Sequence, residues 1–140
     1  MLKDILSIPG RPGLYKKVSE TPRAIIVESL QDGKRSLSYT NTRSMFLVDV
    51  SLYAEPENVP LETIFKRVFE QENGGKAISH KERDNVIIDY MEKIIPGYDQ
   101  DRVYPSDMKK ILQWYNILQE KNMLHFPEET PGEEENKPGE

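Results

Sequence analysis

Ala24-Ile25-Ile26-Val27-Glu28-Ser29-Leu30-Gln31-Asp32-Gly33-Lys34-Arg35-Ser36-Leu37-Ser38-Tyr39 is the stretch whose reading decides the fold. Ile25, Ile26 and Val27 are β-branched, and two heavy atoms on Cβ suit a side chain to a pleated surface. Asp32-Gly33 then supplies residues that tolerate positive φ, as a tight hairpin turn requires. Arg35 to Tyr39 returns as the second strand, with Leu37 and Tyr39 on one face. An antiparallel sheet follows.

Upstream, Gly13 to Ser19 reads as another strand. Downstream, Ser44 to Tyr53 reads as one bent strand or two. There Val48, Val50 and Leu52 alternate with Asp49, Ser51 and Tyr53, which is period two. Four or five short strands in about 45 residues predict a small antiparallel barrel.

Residues 54–59 read as a linker, after which the periodicity changes. Pro60 suits the first position of a helix. Leu61, Ile64, Phe65 and Val68 follow at i, i+3, i+4 and i+7, the spacing of one helical face. Asn73-Gly74-Gly75 ends that helix. Ser79 with Glu82 has the pattern of a capping box opening a second helix, which Pro96-Gly97 breaks. Its face carries Val86, Ile87, Tyr90, Met91 and Ile94. Ser106 is the cap expected for a third helix bearing Met108, Ile111, Leu112, Tyr115 and Leu118, with Asn122 as its stop. The expected helical core is Ile64, Phe65, Ile87, Met91, Ile111 and Leu112, and Ile26 and Val27 lie in or beside the core of the barrel.

Beyond Phe126 the chain has no large apolar residue, so residues 127–140 are expected to be a disordered acidic tail. Six of the 24 acidic residues and one of the 19 basic ones fall there. The remaining 126 residues are therefore neutral, and the net charge of −5 belongs to the tail. A neutral body argues against a dedicated nucleic-acid binder. The fold expected is α+β: a small β-barrel over residues 1–57, a three-helix module over 58–126, and the tail.

Cysteine is absent, which rules out disulfides, thiolate metal sites and a cysteine nucleophile. The opening Met1 to Gly10 has no apolar run of the kind a signal segment carries, and no stretch is long enough to span a bilayer. A cytoplasmic location, without membrane contact, is the expectation.

Leu2-Lys3-Asp4-Ile5-Leu6-Ser7-Ile8-Pro9-Gly10-Arg11-Pro12-Gly13-Leu14-Tyr15-Lys16 resembles the opening of a family of bacterial two-module proteins. So do Ile26-Val27-Glu28-Ser29-Leu30 and Asp32-Gly33-Lys34-Arg35. Asp101-Arg102-Val103-Tyr104, Ser106-Asp107-Met108-Lys109-Lys110 and Trp114-Tyr115-Asn116 are similar to that family's helical module. The likeness covers about residues 2–125. It implies a division into two modules of unknown function and supplies no activity. The first half also resembles SH3-like and KOW-like barrels, a fold that hosts many functions.

Chemistry has few places to reside. His80 lies beside Glu82 and Asp84, but a zinc deaminase signature needs cysteines this chain lacks. No Gly-x-Ser-x-Gly elbow accompanies a histidine. Asp99-x-Asp101 opens like a calcium loop, yet Tyr104 stands where that loop needs glycine and Lys110 where it needs glutamate. Pairing of Asp99 or Asp101 with Arg102 or a nearby lysine is the simpler reading. Pro9-Gly10-Arg11-Pro12-Gly13 has glycines, but its prolines remove the N–H donors a phosphate cradle uses. No catalytic constellation is recognised, and neither a metal nor a cofactor is expected.

Binding surfaces are the better prospect. Arg11, Lys16, Lys17, Arg23, Lys34, Arg35 and Arg43 give seven cations in 33 residues, with Tyr15 and Tyr39 interleaved. If Lys17 and Arg35 share a face with the tyrosines, Lys16, Lys17, Lys34, Arg35, Arg43, Tyr15 and Tyr39 form a phosphate-and-stacking surface for nucleic acid. The alternative is that these charges protect exposed strand edges. Trp114 and Ile117 widen the apolar arc of the third helix, either to be sandwiched in the core or to meet a partner. The expectation is a non-enzymatic binding or adaptor protein with a protein partner, the alternative an RNA- or ribonucleoprotein-associated module.

Overall fold

The hairpin at Asp32-Gly33 forms because each residue there does a separate task. Gly33 takes a φ of 74°, and the Asp32 carboxylate accepts the Lys34 N–H at 2.9 Å. Those contacts join β3 (Ala24–Ser29) to β4 (Arg35–Tyr39). The computed structural model describes residues 2–11, 13–39 and 44–126. With β1 (Ile5–Ser7), β2 (Tyr15–Glu20) and β5 (Met45–Phe46), the strands make one antiparallel sheet of order β4-β3-β2-β1-β5. A register shift between Lys17 and Ser19 leaves Val18 as the extra residue of a bulge.

The sheet is open, with β4 and β5 at its two edges and no ladder between them. The closed barrel expected from strand count is not drawn by the hydrogen bonding. The stretch from Ser44 to Tyr53 also departs from a plain strand. A 3₁₀ turn at Leu47–Asp49 interrupts it, and β6 (Ser51–Leu52) pairs instead with β7 (Val59–Pro60). The turn breaks the period-two pattern, burying Leu47 and leaving Val48 exposed.

The helices are α1 (Leu61–Gln71), α2 (Asp84–Ile94) and α3 (Pro105–Glu120). Pro60 precedes α1 as its cap rather than opening it. α1 ends as expected, because Asn73 and Gly74 take positive φ and the Gly74 N–H reaches the Phe69 carbonyl at 2.8 Å. α3 stops the same way, at Asn122 with the Met123 N–H on the Leu118 carbonyl. α2 starts four residues later than Ser79 and His80 suggest. The Ser79 hydroxyl accepts the Lys81 N–H at 3.1 Å, which closes a local turn in place of a helix cap. At α3 the cap is Tyr104 and not Ser106, with Asp107 Oδ2 accepting the Tyr104 N–H at 3.0 Å.

Ile64, Phe65, Ile87, Met91, Ile111 and Leu112 are all buried. They share one apolar cluster with Leu2, Ile5, Leu14 and Leu47 from the sheet side, so the main core is built by both halves of the chain. β1 is buried on both faces. Ile5 enters this core, while Leu6 enters a second small cluster with Ile8 and Val27. The Asp99 N–H donates to the Tyr53 carbonyl and the Glu55 N–H to the Gly97 carbonyl. Among the described residues no helix is long and apolar enough to cross a membrane. The acidic tail, 127–140, lies outside the described residues.

Candidate functional site

The seam between sheet and helices holds a hollow, and local sequence accounts for its walls. Gly10 and Gly13 take φ near +80°, which turns the chain back between β1 and β2. That turn carries Arg11 across the sheet. Its guanidinium donates to Ser36 Oγ at 3.0 Å and to the Leu37 carbonyl at 2.6 Å, and it lies 5.9 Å from the Tyr15 ring centroid. Leu37 is on edge strand β4, so the contact occupies an edge carbonyl that would otherwise be open to another strand.

α3 forms the facing wall. Lys110, Gln113 and Trp114 stand at i, i+3 and i+4 and so share one side of the helix. Together with Ser7, Ile8, Arg11 and Met45 they enclose a cavity of about 450 Å³. A second hollow of about 200 Å³ adjoins it, walled by Leu52, Tyr53, Arg102 and Ile111. Met45, Lys110 and Trp114 line both, so the two form one groove. The smaller hollow is walled mainly by apolar surface, while the larger mixes polar and apolar walls. Met45 is 50% exposed and Tyr53 46%, while Trp114 is nearly buried and shows the groove only a margin of its ring.

The rim is cationic. Arg102 is fixed by the Asp99 carboxylate at 3.1 Å, with its guanidinium 4.8 Å from the Tyr53 centroid. The Asp99–Arg102 pairing is one of those expected from the sequence. Lys110 has no ion pair or hydrogen bond with any described residue. Asp107, the one acid on the lining, is engaged as the cap of α3. Among the described residues no three His, Asp or Glu side chains converge as a metal site would require. The groove can hold a chain by burying apolar side chains between Met45, Tyr53 and Trp114 and by pairing anions with Lys110 and Arg11.

The residues singled out for nucleic acid are divided by the sheet. Lys16, Glu28 and Arg35 are cross-strand partners and form one row on one face. Lys17 is partnered with Val27, whose own partner on β4 is Ser36, and this row lies on the opposite face with Tyr15. Tyr39 belongs to the Lys16 and Arg35 face and is exposed. Two of the cations are also paired with acids: Arg35 with Glu28 at 3.1 Å, and Lys17 with Glu20 at 2.9 Å. The hydrogen bond to Glu20 raises the Lys17 pKa. Lys34 sits at the hairpin turn, and Arg43 lies outside the described residues. Lys17 and Arg35 therefore do not share a face. Of the helical pair, Trp114 lines the groove, whereas Ile117 is half-buried against the main core.

The sequence reading assigns no binding role to Met45, Tyr53, Arg102, Lys110 or Gln113. The i, i+3, i+4 spacing of Lys110, Gln113 and Trp114 is the signal that points to this side of α3. Their partners across the groove come from contacts more than 50 residues distant in sequence, which no local pattern encodes.

Comparison with known proteins matches two successive stretches of the chain. The family model described as "Domain of unknown function (DUF5606)" matches residues 2–48, and that described as "Domain of unknown function (DUF6852)" matches residues 50–118. No curated protein matches the chain. A solution NMR structure of a Bacteroides vulgatus protein, from the Northeast Structural Genomics Consortium, is 39% identical with a TM-score of 0.76. That match covers 90% of this chain and 91% of the other, so the likeness runs through sheet and helices together.

Proposed function

The chain belongs to the two-module family that joins DUF5606 to DUF6852. From the groove at the seam, we propose that it is a non-enzymatic binding protein that receives another protein there. The observation that carries the reading is the groove's composition. A mainly apolar hollow beside half-exposed Met45 and Tyr53, a margin of Trp114, and a rim of Arg11, Arg102 and Lys110 has the make-up of a protein-recognition surface. The place supports it too, since binding sites favour the junction between structural units. We place this activity in the cytoplasm, where a chain without cysteine loses nothing to the reducing environment. The SH3-like description of the first module is part of the proposal. It is supported by the return of β5 past the hairpins to pair with β1, the crossing a small barrel uses.

The RNA-associated alternative draws on the row of Lys16, Arg35 and Tyr39, which the register brings to one face. Glu28 lies in the middle of that row and pairs with Arg35, which weakens it as a track for phosphates.

Site-directed photo-crosslinking tests the proposal. A photoreactive residue is placed at Met45 in the full chain inside its native cell, with a control at Glu92, which is exposed on α2. A discrete adduct with an identified protein from position 45, absent from position 92, is the expected result. No protein adduct at position 45, or the same set from both positions, overturns it.

A further inference from the structure

We infer that the groove's partner is an acidic segment of another protein that carries apolar anchors. This rests on the protein-binding reading above and adds the chemistry of the partner. Charge is the first observation. Lys110 stands over both hollows with no ion pair or hydrogen bond to any described residue. Arg11 is held over the first hollow by a hydroxyl, a carbonyl and an aromatic ring, so none of its described partners neutralises its charge. Asp107 is the one carboxylate on the lining, and the backbone N–H of Tyr104 already binds it. A positive surplus at the rim attracts carboxylates and repels a basic segment.

Shape and apolarity are the second observation. The two hollows share Met45, Lys110 and Trp114 in their walls, so a segment with more than one anchor can occupy both at once. Met adapts to differing apolar side chains, and here it stands half-exposed between the hollows. The chain's own acidic tail is a poorer occupant, since residues 127–140 hold no large apolar side chain to fill the smaller hollow.

The test uses a built-in reporter, because Trp114 is the protein's single tryptophan and lines the groove. The full chain is titrated with three probes of about twelve residues or nucleotides at low and physiological salt. One is a peptide alternating Glu with Leu and Phe; the second has Lys in place of each Glu; the third is a mixed-sequence single-stranded RNA. The expected result is a saturable change in Trp114 emission with the acidic peptide alone, weaker at higher salt. Lys110→Glu and Met45→Glu, both at exposed positions, should each weaken that binding by roughly tenfold. Arg11→Gln should weaken it less.

Equal response to the basic peptide overturns the inference, as does unchanged affinity in both Lys110→Glu and Met45→Glu. Tighter binding of the RNA overturns it in favour of a nucleic acid. A change in Trp114 emission with protein concentration alone overturns it in favour of a second copy of the chain. If the acidic peptide fails while crosslinking from position 45 still yields a protein adduct, the binding reading stands and the acidic chemistry is wrong. If both fail, the groove is not the site.

Discussion

Tyr115 shows how one side chain fixes a loop that has no regular structure. Its ring is buried edge-on to Phe65 at 5.9 Å between centroids, and its hydroxyl donates to the Gly75 carbonyl at 2.8 Å. One residue on, Asn116 accepts the Ala77 N–H at 2.8 Å and donates to the Ile78 carbonyl at 3.2 Å. Together they hold residues 75–78 against α3. Burial, with a smaller contribution from the Glu72 carboxylate, raises the Tyr115 pKa to about 12. Tyr90, which is partly buried and donates to Glu72, is shifted in the same direction. A raised pKa in the folded state means that the unfolded chain gives up its proton first. The stabilisation is therefore complete below pH ~10 and is lost as pH rises toward 12. Urea unfolding at pH 10 and 11 should show a loss of about 1 kcal/mol assignable to Tyr115. Tyr115→Phe should flatten that slope while lowering stability at neutral pH. An unchanged slope in the variant would mean that another group titrates.

Elements were legible in proportion to how locally they are determined. The hairpin was plain because Asp32-Gly33 answers a backbone demand within two residues, and the helical core because a 3.6 periodicity persisted through each helix. Helix starts were harder, since Ser79 and Ser106 both resemble caps. Ser79 spends its hydroxyl on a turn, and at α3 the work falls to Asp107 three residues beyond Tyr104. Asp107→Ala should cost roughly 0.5–2 kcal/mol, whereas Ser79→Ala should leave the helix content unchanged; thermal melts followed by circular dichroism separate the two. The 3₁₀ turn at Leu47–Asp49 was hidden for a different reason. Val48, Val50 and Leu52 do alternate, but burial of Leu47 in the main core outweighs the alternation and turns Val48 outward. Nor does β4 follow its apolar pattern. Leu37 and Tyr39 share a face as expected, yet that face is exposed while Ser38 is buried. The groove was the least legible feature. Arg11, Met45, Tyr53 and Trp114 meet only after the sheet has packed on α3, and sequence spacing carries no trace of that meeting.

At the scale of the whole molecule, the two modules share a core. Leu2, Ile5, Leu14 and Leu47 lie in one cluster with residues of all three helices. Removing one module would leave the other with an uncovered apolar face. The expectation is then that the groove is a fixed surface whose walls open together when the chain unfolds. Native-state hydrogen exchange along a urea series tests this most directly, because it reports the opening free energy of each amide. The amides of β1 and β3 should merge with those of α1 and α3 into a single global isotherm. Leu47→Ala, which should cost roughly 2–5 kcal/mol, should lower the whole set together. Two separate isotherms, with the sheet opening at lower urea while α3 stays protected, would contradict the shared core and the fixed groove with it.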